Sequence, residues 1–207
     1  MPLLFLASAT MKLTIISNPA SGRRKHHEKM KVVLEILKAK GIHPYLRETR
    51  QRGDASLFSR EEAVKGTEIV LAAGGDGTIN EVANGLVGSS VKLALLPLGT
   101  ANVFALETEI PPDPVKAAQI LLNGFSQSIN LGHITCRDIS DKMNLENYFL
   151  LMAGIGFDGG VINEIKRETI TRWGRAAYFA AGVKVLSKYN NAPLSISIDQ
   201  KQPITGY

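Results

Sequence analysis

The chain has 207 residues, 44% of them hydrophobic and 21% charged, a composition typical of a globular protein that excludes a disordered, collagenous or coiled-coil chain. The net charge of +5 is mild and favours phosphate groups or an anionic membrane surface as partners, whereas nucleic acid is not expected because aromatic residues make up only 6%. The single cysteine, Cys136, excludes an internal disulfide and a CxxC metal site.

The segment that begins at Met11, MKLTIIS, has a clearer strand pattern than the apolar run at residues 2–9. We therefore interpret residues 1–10 as an extension that lies outside the predicted fold. Between residues 12 and 124, short apolar segments alternate with segments of helical period. This pattern predicts strands at 12–17, 42–48, 69–73 and 93–96, and helices at 27–40, 54–65, 78–86 and 114–124.

Local signals mark the beginnings of three of these helices. Asp54 is expected to cap the second helix, and Thr78 with Glu81 forms a T-x-x-E capping box at the start of the third. Asp113 and Pro114 provide an N-cap and a first-turn proline for the fourth.

Strands that alternate with helices of this length predict βαβ units with a mostly parallel sheet. We therefore expect a three-layer α/β/α domain over residues 11–130. Ligands of such sheets bind at the carboxyl ends of the strands, which is where the glycine-rich turns of this sequence fall.

The pattern changes after residue 130. Strands are predicted at 148–153 and 194–198, with a helix at 174–187 between them. A lone exposed strand is a poor end for a domain, so we interpret residues 131–207 as the first part of a truncated, β-rich domain.

The segment Gly74-Gly75-Asp76-Gly77-Thr78 lies between a predicted strand and a predicted helix. Glycines let the backbone approach a ligand closely, and the N–H groups at the start of a helix attract anions. The segment therefore predicts a phosphate-binding turn. The Rossmann pattern lacks its third glycine, and the sequence contains no P-loop pattern.

Asp76 is unusual in such a turn, because a carboxylate repels phosphate unless a cation lies between them. Its presence favours Mg²⁺ that arrives with a nucleoside triphosphate, or a hydrogen bond to ribose or to backbone. The alternative is an ordinary strand-to-helix turn in which Asp76 only caps the helix.

Four segments, in order, resemble motifs of the diacylglycerol kinase catalytic-domain superfamily, which includes bacterial lipid kinases and the sphingosine and ceramide kinases. Residues 18–22, NPASG, resemble its NPxSG loop, and Thr49 with residues 53–55, GDA, resembles its T-(x)3-GDA turn. GGDGTINEVANGL at 74–86 resembles its signature, and PLGTANVFA at 97–105 resembles P-x-GTxNDFA. A later segment, AGIGFDGGV, is similar to the start of the family's second, β-sandwich domain.

This resemblance implies an ATP-dependent kinase that transfers the γ-phosphate to a lipid hydroxyl, of a diacylglycerol or a sphingoid-like lipid, in lipid metabolism and phospholipid biosynthesis. It implies Mg²⁺ as a cofactor and a cytoplasmic protein at the inner face of the membrane, and a homodimer is compatible with the sequence. Asp76 is the implied catalytic and metal-associated residue. The implied nucleotide-binding residues are Asn18, Pro19, Ala20, Ser21, Gly22, Thr49, Gly74, Gly75, Asp76, Gly77, Thr78, Ile79, Asn80, Glu81, Gly99, Thr100 and Asn102.

Two residues depart from the family pattern. Val103 stands where P-x-GTxNDFA has aspartate, and Asn130 replaces an aspartate expected to join Asp76 in a network of water and Mg²⁺. The family's catalytic base lies beyond residue 207, so the chain is expected to be a fragment with little turnover.

Two alternatives stay open. One is a nucleotide-binding module without catalysis. The other is a kinase of soluble substrates such as NAD kinase, which shares the GGDGT turn but is disfavoured by the NPxSG and P-x-GTxN motifs.

Overall fold

The structure, a computed structural model, describes residues 3–4, 11–22, 26–137, 144–154, 157–164, 175–187, 194–199 and 201–206. These residues form two compact units, Met1–Leu151 and Met152–Tyr207. The domain division expected at residue 130 stays a prediction.

The first unit contains eight strands and five helices in its described part, and the labels used below follow their chain order. They are β1 (Leu3–Leu4), β2 (Leu13–Ser17), α1 (His26–Ala39), β3 (Tyr45–Glu48), α2 (Asp54–Lys65), β4 (Ile69–Gly74), α3 (Asp76–Leu86), β5 (Lys92–Pro97), α4 (Val103–Glu107), α5 (Pro114–Asn123), β6 (Phe125–Ser126), β7 (Gly132–Arg137) and β8 (Asn144–Phe149).

Four of these strands form a parallel sheet in the order β3-β2-β4-β5. Alternate residues of each strand point to opposite faces of the sheet. Leu13 and Ile15 therefore pack with α1 and α5 in one buried cluster, whereas Ile16 and Val70 pack with α2, α3 and α4 in another. Because helices cover both faces, the predicted three-layer α/β fold is confirmed.

The N-cap prediction for α5 is confirmed, but two others are wrong. Asp113 accepts a hydrogen bond from the Lys116 N–H, and Pro114 begins the helix. Helix α2 has Gly53 at its N-cap position, with φ 91°, and Asp54 instead accepts the N–H groups of the preceding turn, from Arg50 at 2.8 Å and Gln51 at 3.0 Å.

The capping box predicted at Thr78 and Glu81 is also wrong. Helix α3 begins at Asp76, two residues before Thr78, and its N-cap residue is Gly75, which has no side chain to cap the helix. The Thr78 hydroxyl and the Glu81 carboxylate consequently bind partners from other loops, which are described with the site.

Strands β7 and β8 form an antiparallel hairpin. Strand β7 lies outside the strands predicted from the sequence, and the strand predicted at 148–153 is instead β8, which ends at Phe149. Leu150 is excluded from the strand and packs against the core cluster of α3 instead. Leu3 and Leu4, within the predicted extension, pair with Ser126 and Phe125 of β6.

The second unit contains α6 (Phe157–Glu164), α7 (Arg175–Leu186), β9 (Leu194–Ile196) and β10 (Ile204–Gly206). Residue 174, where the helix was expected to begin, lies outside the described residues, and α6 was not predicted. The strand expected to be alone at 194–198 ends at 196 and pairs antiparallel with β10. No helix among the described residues of either unit has the length and apolarity needed to cross a membrane.

A buried carboxylate ties α2 to the central sheet. Glu62 is 3% exposed, and its Oε2 accepts hydrogen bonds of 2.7 Å from the hydroxyls of Thr14 and Thr67, while Lys65 Nζ lies 2.9 Å from Oε1. Arg47 adds a second cation at 3.4 Å. Burial raises the pKa of Glu62, but the hydrogen bonds from Lys65, Thr14 and Thr67 outweigh it, so the net pKa is lowered.

We predict that Glu62→Gln lowers the free energy of unfolding by about 2–3 kcal/mol at neutral pH, because an amide NH2 group replaces one oxygen of a buried carboxylate that accepts hydrogen bonds from Thr14, Thr67 and Lys65. The half-exposed neighbour Glu61, which also binds Arg47, is a matched control, and Glu61→Gln should cost less than about 1 kcal/mol. Urea unfolding measures both changes, and equal losses would contradict the prediction.

The pH dependence of stability gives a second measurement on the same residue. As pH falls, the unfolded chain protonates first, near the ordinary value of 4.5, whereas the folded chain holds Glu62 ionised to lower pH. The contribution of Glu62 is therefore complete above pH 4.5 and disappears as pH falls through the lower, folded-state pKa. Glu62→Gln should remove that part of the pH dependence of the free energy of unfolding. The same pH dependence in the variant and the parent would contradict the lowered pKa of Glu62.

Candidate functional site

The four sequence motifs converge at the carboxyl edge of the parallel sheet. Each follows a strand, and main-chain hydrogen bonds join them to neighbouring strands: Asn18 N–H donates to Ala73 O at 2.9 Å, Thr49 N–H to Ser17 O at 2.8 Å, and Leu98 N–H to Gly74 O at 2.8 Å. The loops at 18–22, 49–53, 75 and 98–102 therefore form one continuous surface, as the glycine-rich turns predicted.

The start of α3 offers main-chain donors at this surface. The first hydrogen bond of the helix runs from Ile79 N–H to Gly75 O at 3.0 Å. The N–H groups of Asp76, Gly77 and Thr78 come earlier, and no described group accepts a hydrogen bond from them. Gly77 is exposed, and a Cβ there would meet no atom within 4 Å. This arrangement has the donors and the open approach that a phosphate group requires.

Three glycines let the loops touch each other. A Cβ on Gly99 would lie 2.5 Å from the Cα of Gly75, whereas one on Gly75 would lie 3.2 Å from the Cα of Gly99, so the absence of a side chain at Gly99 is what allows the two backbones to approach. Gly22 has φ 65°, a left-handed conformation, and a Cβ there would collide with the carbonyl oxygen of Leu98. The glycines of three motifs thus serve loop packing as well as ligand approach.

Asp76 connects the phosphate turn to the loop after β5. Its Oδ1 accepts the Phe104 N–H at 3.1 Å, at the start of α4. One of the roles predicted for Asp76 is a hydrogen bond to backbone, and the structure contains such a bond. Asp76 belongs to α3, but the helix whose first turn its side chain caps is α4. Its second oxygen, Oδ2, accepts no hydrogen bond from a described residue.

Asn102 stabilises the same loop from within. It is the N-cap residue of α4, with φ 52°. Its Oδ1 accepts the Gly99 N–H at 2.8 Å, and its Nδ2 donates to Gly99 O at 2.9 Å. Thr100, between them, is exposed, and Val103 is 37% exposed at the first position of α4.

Asn18 organises the loop after β2 in a similar way. Its Nδ2 donates to the Thr78 hydroxyl at 3.0 Å, and its Oδ1 accepts the Ala20 N–H at 3.1 Å. Ser21 N–H closes the turn on Asn18 O at 2.9 Å. Pro19 is half-buried within this turn, and Asn18 thereby holds it against the start of α3.

His26 is a residue of this site that the sequence analysis missed. Its ring is fully buried, with Nδ1 3.2 Å from Ser21 O and Nε2 2.9 Å from the Ser17 hydroxyl. A neutral ring that donates from Nδ1 and accepts at Nε2 satisfies both partners. Burial lowers the pKa of His26, and the hydrogen bond to Ser21 offsets only part of that effect. No ligand or catalytic spacing in the sequence marks this residue.

The other predicted site residues lie at different depths. Glu81 accepts the Gly53 N–H at 3.0 Å and so holds the T-(x)3-GDA turn, beside which Thr49 is half-buried. Ile79 points into the core, and Asn80 donates a long hydrogen bond of 3.4 Å to Tyr148 O. Gly74 is buried at the end of β4.

The metal network expected around Asp76 stays a prediction. Asn130 is exposed and makes no hydrogen bond with a described residue. Within the part of the chain that the structure describes, no group of three or more His, Cys, Asp or Glu side chains could hold a metal ion.

The chain is similar in sequence to known diacylglycerol kinases. The model of the diacylglycerol kinase catalytic domain matches residues 12–134. The chain is 32% identical over 190 residues to the diacylglycerol kinase of Bacillus subtilis strain 168 and 31% identical over 191 residues to that of Staphylococcus carnosus strain TM300. These matches cover 90% and 89% of this chain but 59% and 58% of the relatives, so the chain spans less than two thirds of their length.

A solved structure from Bacillus anthracis strain Sterne, of a protein assigned to the diacylglycerol kinases, is also similar. It aligns with a TM-score of 0.50 and 30% identity, over 54% of this chain and 41% of that one.

We predict that Gly99→Ala lowers the free energy of unfolding by about 1–3 kcal/mol, because the new Cβ forces apart the backbones of residues 75 and 99. Gly77→Ala is the matched control. Its Cβ enters open space within a helix, where alanine is favoured over glycine by up to about 1 kcal/mol, so stability should be unchanged or raised. Denaturant unfolding tests both variants, and a Gly99→Ala protein as stable as the parent would refute the close contact.

Proposed function

This chain belongs to the diacylglycerol kinase catalytic-domain family, and from that premise we propose that it binds ATP with Mg²⁺ as part of a lipid kinase. The observation that carries the proposal is the start of α3, where three N–H groups without a described acceptor lie beside the Asp76 carboxylate. The family match supports this proposal, and the relatives' names suggest diacylglycerol as the lipid.

The main-chain amides of Asp76, Gly77 and Thr78 would hold phosphate oxygens. They lie at the positive end of the α3 dipole, which favours an anion. The open surface above Gly77 supports an approach to the backbone itself. The exposed Thr100 and the N–H group of the exposed Gly22 border this surface and would contribute further donors, whereas the N–H groups of the rest of the loop at 18–22 donate within the protein.

The Asp76 carboxylate fits a magnesium ion that arrives with the nucleotide. Carboxylate oxygens are the ligands that Mg²⁺ prefers, and Oδ2 is available while Oδ1 accepts the Phe104 N–H. When bound, Mg²⁺ would neutralise the charge of the transferring phosphoryl group. Asp76 would then hold the ion and α4 in one arrangement, so that cation binding and loop geometry depend on the same side chain.

The lipid and its surroundings are also part of the proposal. The net charge of +5 supports transient contact with an anionic membrane surface, where a diacylglycerol or a sphingoid-like lipid presents its hydroxyl. A homodimer, which is compatible with the sequence, stays a prediction.

A second candidate, a nucleotide-binding module without catalysis, is favoured by one observation. Residues 103 and 130 are Val and Asn where the family pattern has carboxylates, so the described site contains fewer anionic ligands for a metal than that pattern provides.

Calorimetry with Mg²⁺ and ADP tests the nucleotide site. We expect Asp76→Asn to weaken binding about tenfold or more and to abolish the gain in affinity that Mg²⁺ provides, because an amide has no charge for the cation. The amide oxygen still accepts the Phe104 N–H, so stability should change by less than about 1 kcal/mol. Asp113→Asn, which alters the cap of another helix, is the control and should leave binding unchanged.

The absence of binding heat in the parent chain, or an Asp76→Asn variant with the same magnesium dependence as the parent, would refute this assignment.

Label transfer distinguishes the two candidates. The protein is incubated with γ-labelled ATP, Mg²⁺ and micelles that contain diacylglycerol, ceramide and sphingosine, with NAD in a separate reaction. A labelled lipid that Asp76→Asn reduces at least tenfold supports the kinase. Nucleotide binding without label in any acceptor supports the module, and labelled NADP would support a soluble-substrate kinase.

A further inference from the structure

Asn84, on the third turn of α3, makes three short hydrogen bonds with its side-chain amide. Its Nδ2 donates to Asn80 O and to Tyr148 O, each at 2.8 Å, and its Oδ1 accepts the Tyr148 N–H at 2.8 Å. The amide therefore satisfies both main-chain groups of one residue of β8, as a neighbouring strand would. No property of its sequence position points to this role.

The opposite edge of Tyr148 belongs to the hairpin. Tyr148 is paired with His133 of β7, and the two rings lie 4.8 Å apart. Asn84 thus attaches the β7–β8 hairpin to α3 through the polar groups of a single residue. Leu150 adds apolar packing just after the strand, but apolar contacts are not directional and do not fix its register.

A second asparagine reaches the same carbonyl. Asn80, one helical turn nearer to the phosphate turn, donates to Tyr148 O from 3.4 Å, compared with 2.8 Å for Asn84. Residues four apart on a helix lie on the same side, so the two amides stand next to each other. A hydrogen bond of 3.4 Å is weak, whereas one of 2.8 Å is near the optimum.

We infer that Asn84 is a positioning residue that holds the β7–β8 hairpin on α3, and that its hold on Tyr148 leaves the Asn80 amide available to a bound nucleotide. The second half of this inference rests on the proposed function, in which Asn80 is a nucleotide-binding residue. The two amides therefore have different roles although they share an acceptor.

This division of roles predicts that two alanine variants change the hydrogen exchange of the Tyr148 amide to different extents. Asn84→Ala removes both short bonds to Tyr148 and should accelerate hydrogen exchange of the Tyr148 amide about tenfold to hundredfold. Asn80→Ala should change that exchange rate less than about threefold, because the weak bond adds little. Asn123→Ala, at the exposed end of α5, is the control and should not change it.

Calorimetry with Mg²⁺ and ADP supplies the functional readout. Asn80→Ala should weaken ADP binding about fivefold to tenfold, as the loss of one hydrogen bond does. In Asn84→Ala the Asn80 amide becomes the sole described donor to Tyr148 O, so ADP binding should weaken by a smaller factor. The double variant should bind ADP as Asn80→Ala does.

A titration separates positioning from a general loss of structure. In Asn84→Asp, one oxygen of the ionised carboxylate can still accept the Tyr148 N–H, but the other faces the carbonyl oxygens of Asn80 and Tyr148 and repels them, which displaces the hairpin and weakens both bonds to Tyr148. Once protonated, the introduced carboxyl group has one donor and one acceptor, and so restores the bonds to Tyr148. Protection of the Tyr148 amide, corrected for intrinsic exchange, should therefore recover as pH falls from about 7.5 to about 5. Asn84→Ala should show no recovery.

Two results would overturn the inference: a Tyr148 amide as protected in Asn84→Ala as in the parent, or equal loss of protection in Asn80→Ala. If the parent chain binds no ADP, the proposed function fails and the role of Asn80 fails with it. Amide exchange then decides the role of Asn84 by itself, so the two failures are distinguishable.

Discussion

The close approach of two backbones, at Gly75 and Gly99, is the constraint on which the site depends. The loops after β4 and β5 meet there because Gly99 lacks a side chain: a Cβ on Gly99 would lie 2.5 Å from the Gly75 Cα, and one on Gly75 would make a tight contact of 3.2 Å with the Gly99 Cα. This contact brings the start of α4 beside the start of α3, and Asp76 can then reach the Phe104 N–H. The parallel sheet supplies the common edge, but the glycines determine how closely the loops gather on it.

Acidic and amide side chains of the motifs hold the loops of the site in place through hydrogen bonds to the main chain. Asp76, Glu81 and Asp54 each accept main-chain N–H groups from a loop, and Asn18 and Asn102 close turns around their own backbone. A loop held in this way keeps its amides oriented before a ligand arrives, which reduces the ordering that binding requires. Side chains of the family motifs, which the resemblance assigns to ligand binding, therefore also hold the loops whose main-chain N–H groups face the ligand.

The sequence predicted the fold class and the convergence of the motifs, but it misjudged several hydrogen-bond partners. The T-x-x-E pattern at Thr78 and Glu81 indicated a capping box, yet α3 begins at Asp76 and both side chains bind other loops. Aspartate is a residue type favoured at N-caps, which predicts that role for Asp54, whereas Gly53 takes that position. Such patterns describe what a segment would do alone, whereas other loops supply the donors that bind Thr78 and Glu81, and the turn just before α2 supplies those that bind Asp54.

By itself, the sequence determined the alternation of the four sheet strands with α1, α2, α3 and α5, and hence the edge at which the glycine-rich turns meet, because hydrophobic period and glycine placement are local properties. Only the tertiary structure decided which polar groups pair. Asp76 bonds to a residue 28 positions away, Glu62 to Thr14 across 48, and Asn84 to Tyr148 across 64. Hydrogen bonds require contact within about 3 Å, and that proximity arises from chain packing rather than from spacing along the sequence.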